Sequence, residues 1–188
     1  MNKLKETNQN LNSSEIWQRI PSMRDISCPV NWINPMGSAS NSCYYLPSGT
    51  FSGSDGLAYC QMLKMGASLI NARTIVELDA LKWFRYTLFY KQPYWVGARS
   101  ISGLDFRWTL DLSKVTQTRT DPVYNWLHAI GFPVEPQYGF PSEACVADNA
   151  HGIFQSIYGK DNQDQLFDLS CGGVNYRIIC QIEKSQLV

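Results

Sequence analysis

The residues able to do chemistry in this chain are its cysteines, two histidines and a scatter of carboxylates. The cysteines are Cys28, Cys43, Cys60, Cys145, Cys171 and Cys180. None forms a Cys-x-x-Cys pair, and His128 and His151 are the only histidines, so a zinc site of ordinary spacing is not expected. An even count at wide spacing reads instead as three disulfides made in an oxidising compartment. The count alone leaves many pairings open. Catalysis is not expected. His128 lies near Tyr124 and Trp126, and His151 follows Asp148-Asn149. No nucleophile, base and orienter can be assembled around either. No Gly-rich phosphate loop follows a strand. The polar run Asp161-Asn162-Gln163-Asp164 has the oxygens to hold a cation, but reads first as a solvated loop.

Charge and length exclude further classes. Sixteen Lys and Arg balance 16 Asp and Glu, which gives no footprint for nucleic acid or an anionic membrane. No apolar run approaches the ~20 residues of a membrane span. The 188 residues, 44% hydrophobic, suffice for one cored domain, or one domain and a tail. Met1 to Glu6 lacks the apolar core of a signal peptide. With three disulfides expected, the simplest reconciliation is a mature chain or an ectodomain with an added Met1. The expected location is extracellular: secreted, or the ectodomain of a membrane protein.

Several elements must position these residues. Residues 1–27 are rich in Asn, Gln, Ser, Lys and Glu, with Ile16, Trp17 and Ile20 as the apolar exceptions. They read as a tail or short helix. Asn12-Ser13-Ser14 reads as a glycosylation sequon in a secreted chain. The ordered part opens at Cys28, turns at Asn34-Pro35-Met36-Gly37 and returns as a strand over 42–46. Ser54 is the expected cap of a first helix, with a stripe through Leu57, Cys60 and Met62-Leu63, stopped by Gly66. A short strand or connector follows at Ala67 to Ile70. Thr74-Ile75-Val76-Glu77 reads as a capping box opening a second helix through Leu78, Leu81, Phe84 or Arg85, and Leu88.

Tyr94-Trp95-Val96-Gly97 then reads as a short, fully buried strand, its glycine marking a bulge or a close backbone approach. Phe106-Arg107-Trp108, Cys145-Val146-Ala147 and Tyr176 to Ile182 are further expected strands. Between Asp111 and Ala144 the chain has little periodicity and many Pro, Gly and aromatic residues. A structureless stretch of that length is usually functional. Helices first and strands later give an α+β domain.

In this order the residues resemble the C-type lectin-like domain, in its long form with three disulfides. The matches are Cys28-Pro29-x-x-Trp32 with Ser42-Cys43-Tyr44, Cys60 in the first helix, Ala67-x-Leu69, and the Glu77 helix with Phe84. They continue with Trp95-Val96-Gly97 in the family's Trp-Ile-Gly place, Phe106-x-Trp108 and Tyr124-Asn125-Trp126. Glu143-Ala144-Cys145, Cys171 and Ile178-Ile179-Cys180-Gln181 complete the set. Each match is weak alone; together they run from Cys28 to Glu183. The resemblance implies two helices and two small antiparallel sheets with a long loop region, in a domain at 28–188. It implies bridges Cys28–Cys43, Cys60–Cys180 and Cys145–Cys171.

Sugar-binding members of that family hold calcium with a Glu-Pro-Asn or Gln-Pro-Asp triplet in the long loop, a Glu just before the next cysteine, and a Trp-Asn-Asp strand. A hard cation of this kind wants six to eight oxygens. Here Glu135-Pro136-Gln137 stands in the triplet's place, Glu143 before the cysteine, and Asp168 three residues before Cys171. Phe167 stands where the Asn ligand belongs, and Leu166 where the Trp does. A rival register puts Gly131-Phe132-Pro133-Val134 in the triplet's place, where no side-chain oxygen remains.

Two functions follow. The first is a recognition module that binds a protein or glycan through its long loop, without a complete calcium site. It would use the aromatic surface of Tyr124, Trp126, Phe132, Tyr138 and Phe140. The alternative is a calcium-dependent carbohydrate-binding lectin using Glu135, Gln137, Glu143 and Asp168, calcium being the one cofactor either reading admits. The expected partner is a glycan or protein, not nucleic acid and not a membrane interior. A homo-oligomer is left open.

Overall fold

The computed structural model describes residues 27–88, 92–103, 105–115, 144–148 and 166–187. The expectations for residues 1–26, for Glu135, Gln137, Tyr138, Phe140 and Glu143, and for the run Asp161 to Asp164 lie outside them.

The fold is α+β and is organised on one strand. This strand, β3, runs Tyr94–Ser102, longer than the four residues expected. Its first half is buried because it is paired on both edges. One edge meets β5 (Cys145–Asp148), antiparallel, with Trp95 opposite Ala147 and Val96 opposite Val146. The other edge meets two strands in turn. The start of β3 pairs with β7 (Arg177–Ile178), Trp95 lying opposite Ile178; the end pairs with β4 (Asp105–Trp108), Ala98 lying opposite Trp108. The short β7 pairing is parallel, within sheets otherwise antiparallel among the described strands. A fifth strand, β6 (Leu166–Leu169), joins the outer edge of β5.

Alternation along β3 sends side chains to two apolar clusters. Tyr94, Val96 and Ala98 enter one, with Leu78, Leu81 and Phe84 of the second helix. Trp95 enters the other, with Cys60, Leu69, Ile178 and Ile182. The indole of Trp95 is fully buried, and its Nε1–H donates to the Phe51 carbonyl at 2.8 Å. A buried indole needs such a partner. Gly97 is where the chain comes closest to its neighbours. A Cβ there would lie 2.5 Å from the Leu69 carbonyl oxygen, and the register with β5 slips just beyond, between Val96 and Arg99. Close approach and bulge, the two readings of this glycine, are both present.

The second sheet is β1 (Ser42–Tyr45), β8 (Cys180–Glu183) and β2 (Ser68–Leu69), in that spatial order. The stretch from Tyr176 to Ile182 thus does not form one strand. Its first part serves the larger sheet as β7 and its second part the smaller as β8. Ile179 sits between them, and its carbonyl accepts from the Ile70 amide at 2.8 Å.

Two helices cover the sheets. Helix α1, Gly53–Leu63, starts two residues earlier than expected because Ser52, not Ser54, caps it. The Ser52 Oγ accepts from the Asp55 amide at 3.1 Å, satisfying an orphan donor of the first turn. Its buried face is only partly the expected one, with Cys60 buried and Leu57 packed against the core as the stripe has them. Gly53, Gly56 and Cys60 face inward, whereas Met62 is 80% exposed and Leu63 40%. The reason is proximity. A Cβ on Gly56 would sit 2.8 Å from Ile178 Cγ2, so the helix packs by its small residues. Helix α2, Ile75–Thr87, is capped by Thr74 as expected, and buries Leu78, Leu81, Phe84 and Arg85. The Glu77 carboxylate reaches past Thr74 to the Arg73 amide, at 2.8 Å.

Three disulfides tie the parts: Cys28–Cys43, Cys60–Cys180 and Cys145–Cys171. These are the pairings that the resemblance implies. Cys60–Cys180 spans 120 residues and joins α1 to β8.

Candidate functional site

Where segment 116–143 leaves and rejoins the sheet is set by two backbone hydrogen bonds and one strand pairing. Its entry follows Val115, whose amide donates to the Phe106 carbonyl at 2.9 Å. Phe106 lies opposite Ser100 on β3. The Ser100 amide in turn donates to the carbonyl of Ala144, the residue at which the loop returns, at 2.9 Å. Entry and exit of segment 116–143 are therefore held on neighbouring strands of one sheet. Ala144 continues into β5, whose first residue, Cys145, is bridged to Cys171 just beyond β6.

Of the six residues expected to bind ligand, Asp168 is the one described. It lies on β6 opposite Val146, which is itself opposite Val96. Cross-strand partners share a face, so Val96, Val146 and Asp168 form a row across three strands. Asp168 is 2% exposed and is engaged with its surroundings. Among the described residues no group of three or more Asp, Glu, His or Cys side chains is placed to hold a metal ion. A calcium shell would draw on Asp168 together with loop oxygens outside the described set, so the fit to calcium rests on one ligand here. Leu166 and Phe167 pair through their backbones with Asp148 and Ala147.

The electrostatics of the framework contain two features that the sequence reading missed. The first is a buried ion pair. Arg85 of α2 donates its Nε–H to Asp148 Oδ2 at 3.0 Å and makes a second contact to Oδ1; the Tyr94 hydroxyl donates to the same carboxylate. Arg85 is 1% exposed and Asp148 0%. Burial pushes the Tyr94 hydroxyl well above its ordinary range, with the Arg85 charge acting the other way. The signal in sequence was Arg85 on the apolar stripe of α2.

The second feature is Arg73. Its guanidinium meets Glu77 at 2.6 Å, Glu183 at 2.6 Å and Asp111 at 2.8 Å. Burial alone would favour its neutral form, but these carboxylates hold it charged. Asp111 is held below the usual carboxylate range. Burial works against this, and bonds from Ser113 and the Arg73 charge overcome it. Gln181, fully buried, donates to Glu77 at 2.8 Å and to Ser42 Oγ at 3.0 Å, and accepts from the Asn71 amide. The start of α2, the turn after β4 and β8 are thereby locked together, close to where segment 116–143 leaves the sheet.

No protein-family model matches this sequence, and no curated protein matches it significantly. Solved structures do. The C-type lectin domain of murine dendritic cell inhibitory receptor 2, in complex with an N-glycan, is similar with a TM-score of 0.56 at 20% identity; the match covers 83% of this chain and 98% of that one. The C-type lectin CEL-I from Cucumaria echinata gives a TM-score of 0.55 at 17% identity, over 82% and 96%. A calcium-independent type II antifreeze protein gives 0.55 at 16% identity, over 83% and 94%. Two helices, two sheets and three disulfides are the C-type lectin-like fold, and this chain has it. These neighbours are C-type lectins and an antifreeze protein, the last calcium-independent; a second antifreeze protein of similar fold is Ca2+-dependent.

Proposed function

We propose that this chain, folded as a C-type lectin-like domain, is an extracellular recognition module that binds a glycan or protein ligand through segment 116–143. In this reading residues 28–188 are the domain and 1–27 a tail, and the calcium shell is incomplete. The observation that carries it is the anchoring of the segment. Its two ends sit on adjacent strands and its exit runs straight into a disulfide-bridged strand. A segment so tied loses less conformational freedom when it engages a ligand. Glycan is supported as the ligand class by the murine neighbour, which is in complex with an N-glycan. Calcium independence is supported by the antifreeze neighbour and by Phe167, a ring that cannot coordinate, in the place of an oxygen ligand. The buried Asp168 on β6 favours the second reading, a calcium-dependent lectin using Glu135, Gln137, Glu143 and Asp168.

Calorimetric titration with calcium, followed by glycan-array binding with and without a chelator, separates the two. The expected result is no calcium heat, and binding that survives chelation. Tyr138→Ala or Phe140→Ala then weakens binding by about 1 kcal/mol or more, as loss of an aromatic anchor does. Glu135→Ala and Glu143→Ala are nearly silent. A calcium heat abolished by Glu135→Ala would establish the second reading instead.

A further inference from the structure

We propose that Cys145–Cys171 is a labile bridge, opened selectively by a small thiol while Cys28–Cys43 and Cys60–Cys180 persist. Access makes the first cut. Cys60 and Cys180 are both fully buried, so no attacking thiolate reaches either sulfur. In each remaining bridge one partner is partly exposed: Cys28 in one, Cys171 in the other.

The leaving group makes the second. Exchange runs faster when the expelled sulfur is a more stable thiolate. Attack at Cys28 expels Cys43, which is 0% exposed and packed in the apolar cluster with Trp32 and Ile182. Such surroundings raise a thiol's pKa and make it a poor leaving group. Attack at Cys171 expels Cys145. It lies in the same cluster, but two sources of positive potential meet it there. The first residue of α1 is Gly53, and a Cβ on it would be 2.9 Å from Cys145 Sγ, so the sulfur lies against the N-terminus of an 11-residue helix. The positive end of a helix dipole stabilises an anion. Arg99, exposed, is the cross-strand partner of Cys145, and both line a small cleft with Ser54 and Thr109. Asp55 is the opposing charge in the first turn of α1; it is exposed and bonded to Ser52 Oγ at 2.7 Å. The amides of Gly53 and Ser54 donate to the Cys171 carbonyl, at 2.8 and 3.4 Å, so helix and bridge form one unit.

The step balances with a low-molecular-weight thiol of the glutathione class as reductant. Its thiolate attacks Cys171 Sγ, the S–S bond breaks, and the electron pair leaves on Cys145 Sγ. A second thiolate attacks the mixed disulfide, releasing the oxidised thiol dimer and Cys171 as thiolate. The protein gains two electrons and the two thiols lose them; protons come from solvent. Because Cys145 follows the return point of segment 116–143, opening this bridge removes one of the loop's anchors, a consequence that rests on the recognition reading above.

The test uses the native chain with 2-mercaptoethanol, timed quenching with iodoacetamide, and peptide mass mapping. Cys145 and Cys171 are expected to be alkylated about tenfold faster than Cys28 and Cys43, with Cys60 and Cys180 unreacted. Arg99→Gln is expected to slow opening of Cys145–Cys171 about threefold and leave the other bridges unchanged. Equal rates at the two accessible bridges, simultaneous opening of all three, or an unchanged rate in Arg99→Gln overturns the proposal. The readout is chemical and needs no ligand, so its failure leaves the recognition reading intact. A selectively opened chain that keeps full ligand affinity would count against the loop anchoring, not against lability.

Discussion

Trp95 makes contacts that no smaller residue can keep. It is fully buried, its ring lies tilted on Tyr176 with centroids 5.1 Å apart, and its N–H is bonded to Phe51. Trp95→Ala is expected to cost about 3–5 kcal/mol, the range for a truncated buried aromatic. Urea denaturation checks it; a loss under about 1 kcal/mol would mean that β3 is not central. Tyr44 behaves differently. It is fully buried; among the described residues its hydroxyl makes no well-formed hydrogen bond, and Ser40 and Ser42 beside it favour the ionised form. Burial first, and then the Glu77 carboxylate, push its pKa above the ordinary value. The folded chain therefore holds the phenolic proton more tightly than the unfolded chain does. That contribution to stability is complete below the unfolded value of about 10 and declines as pH rises beyond it. Tyr44→Phe is expected to change neutral-pH stability by under about 1 kcal/mol, since no well-formed bond is lost. It should also make the alkaline decline shallower; denaturation series at neutral pH and at about pH 11 test both. At this scale Trp95 was legible because an apolar run with a following glycine is strong local information. The Arg85–Asp148 pair was not, because its partners are 63 residues apart and a lone Arg on an apolar stripe does not name its carboxylate.

Helix α1 shows what periodicity can and cannot supply. Its existence, its length and Cys60 on its inward face were readable, but its start, its end short of Gly66 and the glycines on that face were not. Hydrophobic spacing favoured Met62 and Leu63; contact with Ile178 and Cys145 chose Gly56 and Gly53. Close packing of a helix on a sheet rewards the absence of a side chain, which hydrophobicity does not register. The cap is a sharper case. The sequence points to Ser54 as the cap, but it is Ser52 whose side chain accepts an amide. Ser52→Ala is expected to cost about 1 kcal/mol and Ser54→Ala almost nothing, measured by thermal or chemical denaturation of the pair. Equal losses would show that the first turn is held otherwise. Strands β7 and β8 failed as a single element for a similar reason. A continuous alternating run does not show which sheet each half joins, and here the two halves serve different sheets.

At the scale of the whole molecule, the problem is to hold together two sheets whose strands come from distant parts of the chain. The framework answers with long-range ties: Arg73 to Asp111 and Glu183, Gln181 to Glu77, and the bridge from α1 to β8. The family pattern made the bridge legible, because its cysteines sit at fixed places among other matched residues. The charged ties were not, since each depends on side chains brought together only by the finished fold. The candidate site is read from sequence as a stretch of chain with its oxygens and aromatics, and the described framework holds Asp168 of that set and the two ends of segment 116–143. Among these ties Cys60–Cys180 closes 120 residues, and the chain-entropy account makes a loop of that size worth about 4–5 kcal/mol. Both sulfurs lie in the cluster around Trp95, so replacing them with Ala also removes packed volume there. The double variant Cys60→Ala, Cys180→Ala is therefore expected to lose at least that much. The loss should exceed that of Cys145→Ala, Cys171→Ala, whose bridge closes 26 residues and has one partly exposed partner. Parallel guanidinium denaturation of the two double variants checks the order. If the shorter bridge proved the costlier to remove, the entropy of the large loop would not be what Cys60–Cys180 supplies, and the two sheets would have to be held chiefly by the Arg73 and Gln181 network.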